Sequence, residues 1–431
     1  MLSHISIMSS WKRYLFAPLF VAAVIGLVGV SLFADLRTGN SMTELALIVV
    51  DTRVLLALAV GIFAIAFILY LVALRGEDRD RLVSGGKSVD ALIPVYEEAD
   101  VMHRSVEHLA ENEYEDLKIT IVCEPDDNAS RERAQELANE YDRVRVLVNN
   151  QRQGSKAGAL NTGIKNSDAQ VIGMFDSDQE PHEKLVPHAM VYLDDHDVAR
   201  VRSLPDPSGG VIESMAYYEY LLLFFLPQKL VRFLLGMQFV GTRSVLVDRE
   251  VFNKVGLFSE DHLTEDMDFT HRCHQAGLAI RALLYYPCLE QPAHTIRDWW
   301  GQRVRWMTGH FEIGGSYLRN PRRMLDPDYL GSVLTLVGTF VAGVVMSVTL
   351  PKLVVAAIGS PLIIGTGLLG FYGFPVATRL VDNRTTQLDG LGVAWLLLPL
   401  TFTMFGLVII QVVIKRAFGL EPGWYSVEKQ A

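Results

Sequence analysis

The chain of 431 residues contains little cysteine and has no excess of basic residues. Its three cysteines, Cys123, Cys273 and Cys288, are too few and too widely spaced for a disulfide framework or a zinc cage. A formal net charge of −10 opposes general binding to nucleic acid, whose phosphates are also negative. A disordered or low-complexity chain is excluded too, because half of the residues are hydrophobic.

The charges are unevenly distributed along the chain. Residues 1–75 and 329–431 each carry a formal charge of +2, whereas 76–328 carries −14. The sequence therefore has an acidic, water-soluble middle between two apolar ends that are slightly basic. An anionic substrate bound in this middle part would need local cations or a metal ion, because the background field opposes its binding.

Long uncharged stretches predict an N-terminal transmembrane hairpin in residues 1–75. Its two spans, at about 14–34 and 54–74, are long enough for a hydrocarbon core of roughly 30 Å. Basic residues flank the hairpin on both sides, which places both of its ends in the cytoplasm. We therefore expect an integral, multi-pass membrane protein whose middle domain, 76–328, is cytoplasmic.

The C-terminal region, 329–431, contains about three apolar segments and a short tail. The number of its spans is left open, because Lys415 and Arg416 favour the cytoplasmic side whereas three spans would end outside. A further apolar stretch, Tyr217–Val240, is interrupted by charges. It predicts an amphipathic helix at the membrane surface or, equally, a helix of the protein core.

In the middle domain, apolar runs alternate with helix-like segments. This pattern predicts an α/β fold with a mainly parallel sheet covered on both faces. Ligands bind such sheets beyond the carboxyl ends of the strands. The predicted strands are Val89–Tyr96, Leu117–Cys123, Val144–Val148 and Ala169–Phe175, and the predicted helices are Glu97–Asn112, Ala129–Tyr141 and Ala157–Ile164.

Two segments near the predicted strand ends have the chemistry of an anion site. Asp176 and Asp178 flank one residue after the fourth strand, where two carboxylates can hold a hard divalent cation that bridges a diphosphate. The glycine-rich segment Gly154–Asn161 starts a helix and carries Lys156, whose ammonium would lie beside a helix N-terminus. The alternative interpretations are an ordinary acidic loop and an ordinary loop-to-helix junction.

Two later segments complete the set. In Thr264–Asp266, a carboxylate could act as a general base towards a hydroxyl, or Thr264 could merely cap a helix whose dipole the acids complement. In Trp299–Trp306, Gln302, Arg305 and Trp306 would share one helix face, with arginine suited to phosphate and tryptophan to sugar rings. A membrane-interface belt is the alternative interpretation of that segment.

Together these motifs resemble glycosyltransferase family 2, in the membrane-embedded branch that contains cellulose, chitin and hyaluronan synthases and ceramide glucosyltransferases. The resemblance covers about residues 89–310, and its elements occur in the order of the family. They are Ile93–Glu98, the segment ending at Asn161, Asp176–Asp178, Thr264–Asp266 and Gln302–Trp306.

The resemblance implies a GT-A type catalytic domain flanked by transmembrane helices, and an inverting sugar transfer that depends on Mg²⁺ or Mn²⁺. By analogy, Asp178 and Asp176 bind the metal, and Asp266, beside Glu265, is the catalytic base. The implied nucleotide-sugar-binding residues are Pro94, Glu124, Asp126, Lys156, Asn161 and Asp176, and the implied diphosphate- or acceptor-binding residues are Gln302, Arg303, Arg305 and Trp306.

One departure affects the nucleotide. The family usually has two adjacent aspartates after its second strand, but here the stretch reads Cys123-Glu124-Pro125-Asp126-Asp127. An ungapped alignment places Glu124 at the second aspartate, and a small shift favours Asp126 or Asp127. UDP is the commonest donor nucleotide in the branch, and the expected acceptor is a lipid-linked or glycan hydroxyl. A processive polysaccharide synthase and a non-catalytic, sugar-nucleotide-binding membrane scaffold are the alternatives.

Overall fold

The computed structural model describes residues 60–262, 264–319, 321–340, 361–386, 388, 390–420, 425, 427 and 429. The chain divides into two compact units. Taking the described residues only, a helical unit comprises 60–76, 218–237 and those between 314 and 420, and an α/β unit comprises those between 77 and 217 and between 238 and 313, together with 425, 427 and 429. The predicted span at 14–34 lies outside the described residues, and so does part of the apolar C-terminal region, 341–360.

In the residues that the structure describes, the α/β unit has eight strands, and helices connect most of them. The strands are β1 (Val89–Val95), β2 (Leu117–Cys123), β3 (Val144–Val148), β4 (Val171–Met174), β5 (Gln179–Pro181), β6 (Val198–Pro205), β7 (Val245–Asp248) and β8 (Ile280–Glu290). In chain order through both units, the α-helices are α1 (Val60–Arg75), α2 (Met102–Ala110), α3 (Asn128–Glu140), α4 (Lys156–Lys165), α5 (Leu185–Tyr192), α6 (Val211–Glu219), α7 (Leu226–Leu235), α8 (Glu250–Val255), α9 (Glu265–Gln275), α10 (Ile296–Leu318), α11 (327–340), α12 (Pro361–Thr385) and α13 (Leu398–Ala417).

The strands form a single mixed sheet in the order β3-β2-β1-β4-β7-β6-β8-β5. The half made of β3, β2, β1 and β4 is parallel throughout, so four strands end at the same edge. In the other half, β7 runs antiparallel to β4 and β6, while β6 and β8 pair in parallel. The predicted α/β sheet is confirmed, and its antiparallel pairings are additional to the prediction.

Side chains from β1 pack on both faces of the sheet. Val89, Ala91, Ile93 and Val95 belong to the core on the side of α2 and α3, whereas Leu92 belongs to the core under α4. Because successive strand residues point to opposite faces, burial on both sides explains the continuous apolar run of β1. Both faces of the sheet are therefore covered, and its carboxyl edge is the part that remains for a ligand.

The predicted strands and helices agree with β1–β4, α3 and α4 to within about two residues. The prediction for α2 differs from the structure. The helix predicted from Glu97 begins only at Met102. Glu97 has a φ of 56°, which a right-handed helix excludes, and its backbone N–H donates to Asp127 Oδ2 over 2.5 Å. The early acidic residues therefore belong to a turn at the sheet edge instead of a first helical turn.

The helical unit contains apolar helices. In the described part of the chain, one helical segment, Ala394–Ala417, is long and apolar enough to cross a membrane by length and composition; it consists of a 3₁₀ turn, Ala394–Leu397, followed by α13. The helix α1 is a shorter apolar helix. The predicted amphipathic segment at Tyr217–Val240 is helical up to Leu235, and a π-helical stretch, Tyr220–Phe225, precedes α7. Inside this unit, the buried Tyr70 hydroxyl donates to Asp382 Oδ1 over 3.0 Å.

Candidate active site

The centre of the candidate site is a carboxylate that follows β4. Asp176 accepts a charge-assisted hydrogen bond from Lys156 Nζ, which lies at the first position of α4. Burial opposes the ionisation of both groups, but their mutual attraction outweighs it, so the pKa of Lys156 is raised and that of Asp176 is lowered. The structure thus brings together two predicted site residues that are 20 positions apart in the sequence.

Arg243 and Glu290 extend this charge network, and neither was predicted. Arg243 Nη1 lies 2.8 Å from Glu290 Oε2, and its Nε lies 3.9 Å from Asp176 Oδ2. Burial disfavours the guanidinium charge, but Glu290 and Asp176 more than compensate and raise the pKa of Arg243. Neither residue belongs to a local sequence motif. Arg243 precedes β7, and Glu290 ends β8.

A second group of acids lies at the ends of β1 and β4. Glu98 Oε2 accepts a hydrogen bond of 2.5 Å from Ser177 Oγ. The ammonium of Lys429, near the C-terminus, contacts Glu98 Oε1 and lies 3.3 Å from Asp178 Oδ1 and 3.2 Å from Ser177 Oγ. Glu98 is in the predicted Ile93–Glu98 motif but was given no role, and Lys429 was not predicted at all.

This acidic group fits a hard divalent cation. Mg²⁺ is commonly held by one or two protein carboxylates, with phosphate oxygens and water completing its octahedron. Glu98 and Asp178 supply two carboxylates that converge on one positive charge. No set of three or more His, Cys, Asp or Glu side chains is placed to hold a metal ion within the described residues. A cation held by these two carboxylates would need further oxygens, such as those of a substrate diphosphate and water, to complete its coordination.

The residues predicted around β2 differ in their surroundings. Glu124 is 2% exposed and accepts hydrogen bonds from Asn149 Nδ2 (2.7 Å) and the Gly154 N–H (2.9 Å), so it holds the loop 149–155 at the sheet edge. Asp126 is exposed. Asp127 caps α3 by accepting from the Ser130 N–H over 3.0 Å.

Two further predicted donor-site residues, Asn161 and Pro94, lie in buried structural positions. Asn161 Nδ2 donates to the Phe258 carbonyl oxygen (3.0 Å) and Glu260 Oε1 (2.8 Å), and Asn161 Oδ1 accepts from the Phe258 N–H (3.0 Å). Its amide thus ties α4 to the loop before α9. Pro94 is buried in β1, beyond the last residue of that strand paired with β4. Their contact with a nucleotide stays a prediction.

The pair Glu265 and Asp266 lies in the first turn of α9. Glu265 is 8% exposed and accepts from Thr242 Oγ1 over 3.1 Å. Burial and the neighbouring Asp266 raise its pKa, although the Lys156 ammonium opposes this shift. Asp266 is only partly buried, and its Oδ1 accepts from the Met267 N–H over 2.8 Å. Acidic side chains of different burial therefore stand side by side at this helix start.

The alternative interpretation of that segment holds only in part. Thr264 does occupy the N-cap position of α9, but its side chain makes no capping hydrogen bond. Its Oγ1 is buried and has no hydrogen-bond partner within the described part of the chain. The third acid of the cluster, Asp268, pairs with Arg272 Nε at 2.8 Å, so Glu265 and Asp266 remain the two candidates for the predicted base.

The predicted arginines on α10 differ in their surroundings. The Arg303 guanidinium contacts Gln302 and stacks over the rings of Trp306 and Trp299, at 4.2 and 5.4 Å from their centroids. Burial lowers the pKa of Arg305, against the effect of Glu265 and Asp266 nearby. Arg305 therefore belongs to the charge network of the α9 start, whereas Arg303 packs among aromatic rings.

Comparison with known proteins identifies the class. The family model described as glycosyltransferase like family 2 matches residues 87–309, which is more than half of the chain. The protein therefore belongs to glycosyltransferase family 2 and is a glycosyltransferase by family. The resemblance drawn from the sequence motifs is thus confirmed.

Individual relatives are distant. A beta-monoglucosyldiacylglycerol synthase of Trichormus variabilis is 26% identical over 233 residues, which is 52% of this chain and 49% of the relative. A poly-beta-1,6-N-acetyl-D-glucosamine synthase of Staphylococcus aureus is 24% identical over 238 residues, covering 53% and 55%. The chain spans about half the length of the curated relatives it matches.

Among solved structures, a mannosyltransferase of Pyrobaculum calidifontis in complex with GDP-Man and Mn²⁺ superposes with a TM-score of 0.50 at 16% identity. The match covers 85% of this chain and 100% of the other. At this identity the likeness concerns the fold alone, which is the mixed α/β architecture expected of a GT-A domain.

Proposed function

We propose that this protein is an inverting, metal-dependent glycosyltransferase that moves a sugar from a nucleoside-diphosphate sugar to a lipid-linked or glycan hydroxyl. The observation that carries the proposal is the convergence of Lys156, Arg243, Asp176 and Asp178 with the Glu265–Asp266 helix start in one unit of a family 2 chain. A displacement at an anomeric carbon needs a base at the attacking hydroxyl and cations at the departing diphosphate.

On the donor side, the chain supplies fixed cations in an acidic domain. Lys156 and Arg243 are held by Asp176 at the sheet edge. They supply the local positive charge that the −14 charge of residues 76–328 requires for an anionic donor. Asp178, with Asp176 nearby, would hold Mg²⁺ or Mn²⁺, which would neutralise charge developing on the leaving diphosphate. Glu124 would support the nucleotide by ordering the loop 149–155.

On the acceptor side, Asp266 is the residue best suited to be the general base. It is partly buried, and one of its oxygens is held by the Met267 N–H, which orients the carboxylate. Glu265 is more deeply buried and hydrogen-bonded to Thr242, so it serves to position and polarise its neighbour. Arg305, Gln302 and Trp306 on α10 would bind the diphosphate and the acceptor end.

A lipid-linked acceptor is the choice we favour, with UDP as the donor nucleotide. The name of one relative states that it makes monoglucosyldiacylglycerol, which is a glycolipid. The apolar helices Val60–Arg75 and Ala394–Ala417 support attachment of the chain to a bilayer, with the α/β unit on the cytoplasmic side. The name of another relative states a polysaccharide product, which keeps a processive synthase as the second candidate.

The test is a donor panel with product analysis. The full chain, purified in detergent with Mn²⁺ and diacylglycerol-containing micelles, is supplied with UDP- and GDP-sugars, and the release of nucleoside diphosphate is followed. We expect one UDP-sugar to give release together with a glycolipid of low mass. A polymer of high mass would establish the synthase instead, and binding without turnover of any donor would support the non-catalytic scaffold.

A further inference from the structure

The C-terminal tail, of which Tyr425, Val427 and Lys429 are described, belongs to the α/β unit and is attached to it at two points. The first point is on α10. The Tyr425 hydroxyl donates to Asp298 Oδ1 over 2.9 Å, and the Tyr425 ring lies against Gly301. A Cβ built at position 301 would be 2.5 Å from that ring, so the close packing depends on glycine at this position.

The second point is the acidic group at the sheet edge. Lys429 is 23% exposed at its side chain, and its ammonium contacts Glu98 and approaches Asp178 and Ser177 to within 3.3 Å. Two carboxylates and a hydroxyl thus surround one positive charge. All three residues follow the carboxyl ends of β1 and β4, which is the edge where the donor diphosphate is expected.

The oxygens that surround this ammonium are the ones a hard divalent cation would use. A lysine ammonium and a metal ion cannot occupy the same position, and two cations held a few ångströms apart by the same oxygens would repel each other. Lys429 and the metal therefore exclude each other.

We propose that Glu98 is a ligand of the divalent cation together with Asp178, and that Lys429 on the C-terminal tail competes with the metal for this site. The inference deepens the proposed function, on whose metal requirement it rests. Metal binding must lift Lys429 from the acidic group, so the tail leaves the site when the cation enters. A tail seated about nine-tenths of the time would weaken the apparent affinity for the metal about tenfold.

The first experiment measures the affinity of the full chain for Mn²⁺ alone in detergent, by titration of the free ion's electron paramagnetic resonance signal. Lys429→Met should bind Mn²⁺ several-fold more tightly than the wild type. The matched control Lys118→Met, at an exposed position of β2, should leave the affinity unchanged. Equal or weaker binding by Lys429→Met would overturn the competition.

Two further variants test the geometry. Gly301→Ala should displace Tyr425, loosen the tail and tighten Mn²⁺ binding in the same direction, while alanine suits the helix interior. In the Lys429→Met background, Glu98→Gln should weaken Mn²⁺ binding tenfold or more, since it removes one carboxylate ligand. An unchanged Mn²⁺ affinity in Gly301→Ala would refute Tyr425 as an anchor of the tail. An unchanged Mn²⁺ affinity after Glu98→Gln would refute Glu98 as a metal ligand.

A lysine-specific protease reports the position of the tail directly. Cleavage after Lys429, followed by intact mass, should be slow for the wild type without metal and faster when Mn²⁺ is added. Cleavage that is indifferent to Mn²⁺ would contradict displacement. None of these measurements needs a sugar donor, so they remain valid even if the donor panel shows no turnover. If no variant binds Mn²⁺, both this inference and the metal requirement of the proposed function are overturned.

Discussion

The close approach of α4 to the loop 149–155 provides a sharp test of how the donor site is built. A Cβ added at Gly158 would lie 2.3 Å from the Arg152 carbonyl oxygen, which is a backbone atom. The loop must therefore move by about 1 Å to restore an ordinary contact near 3.4 Å. That loop carries Asn149 and Gly154, which hold the Glu124 carboxylate.

We expect Gly158→Ala to impair donor binding more than folding. A displacement of about 1 Å in a positioning element can cost about 10²-fold in rate. Overpacking costs about 1–3 kcal/mol of stability, and the helix preference of alanine over glycine offsets up to about 1 kcal/mol of this. The predicted result is a loss of about two orders of magnitude in kcat/KM for the donor, with the domain still folded.

Gly163→Ala, on the same helix, is the matched control. Its Cβ would meet a Leu92 side-chain atom at 2.7 Å, inside the core under α4 and away from the loop 149–155. We expect a similar loss of thermal stability with nearly unchanged UDP affinity, measured by calorimetry. Equal effects of the two variants on UDP binding, or none for Gly158→Ala, would refute the loop's role.

The remaining predictions concern a helix cap and the charge network. Asp127→Ala should cost about 2–3 kcal/mol in chemical denaturation, because the cap of α3 and the hydrogen bond from the Glu97 N–H are both lost. Burial opposes the ionisation of Asp127, but hydrogen bonds from Ser130 and Glu97 lower its pKa. The stability that the ionised carboxylate contributes is therefore complete above about pH 4, and it is lost as the pH falls through the folded-state pKa. The difference between Asp127→Ala and the wild type should therefore shrink in acid, and a constant difference would contradict the charge-assisted bonds. Arg243→Gln should weaken UDP binding tenfold or more and lower stability by about 1–3 kcal/mol, since Glu290 is left without its partner, and Arg243→Lys should recover part of the affinity. An unaltered UDP affinity in Arg243→Gln would exclude that residue from the donor site.

The sequence pattern predicts the parallel half of the sheet, β1–β4, where apolar runs and the turns between them indicate the same structure. Apolar runs bounded by turns locate β1–β4, because strands buried on both faces need continuous apolar sequence. The same logic brings Asp176, Asp178 and Lys156 to one sheet edge, since each directly follows a predicted strand or starts a predicted helix. The start of α2 at Met102 was missed, because the left-handed Glu97 depends on a contact with Asp127 that lies 30 residues away.

Tertiary contacts supply the rest of the site. Arg243 and Glu290 meet in the mixed half of the sheet, where no local motif marks either residue. Lys429 reaches Ser177 across 252 positions of sequence. A single lysine outside any motif carries no sequence signal of its partner, so only the folded structure can pair it. Glu98 could have been predicted from the sequence as a site residue, because it follows β1 at the same sheet edge where Asp178 follows β4.

The most direct test of the central claim compares two substitutions on one helix. Asp266→Asn removes the proposed base, whereas Asp268→Asn makes the same chemical change at a residue whose partner is Arg272. In nucleoside-diphosphate release with the active donor and Mn²⁺, Asp266→Asn should lose about 10²–10⁴-fold in kcat, while Asp268→Asn stays within a few-fold of the wild type. Undiminished release by Asp266→Asn, or equal losses in both variants, would contradict a glycosyl transfer driven by a base at Asp266.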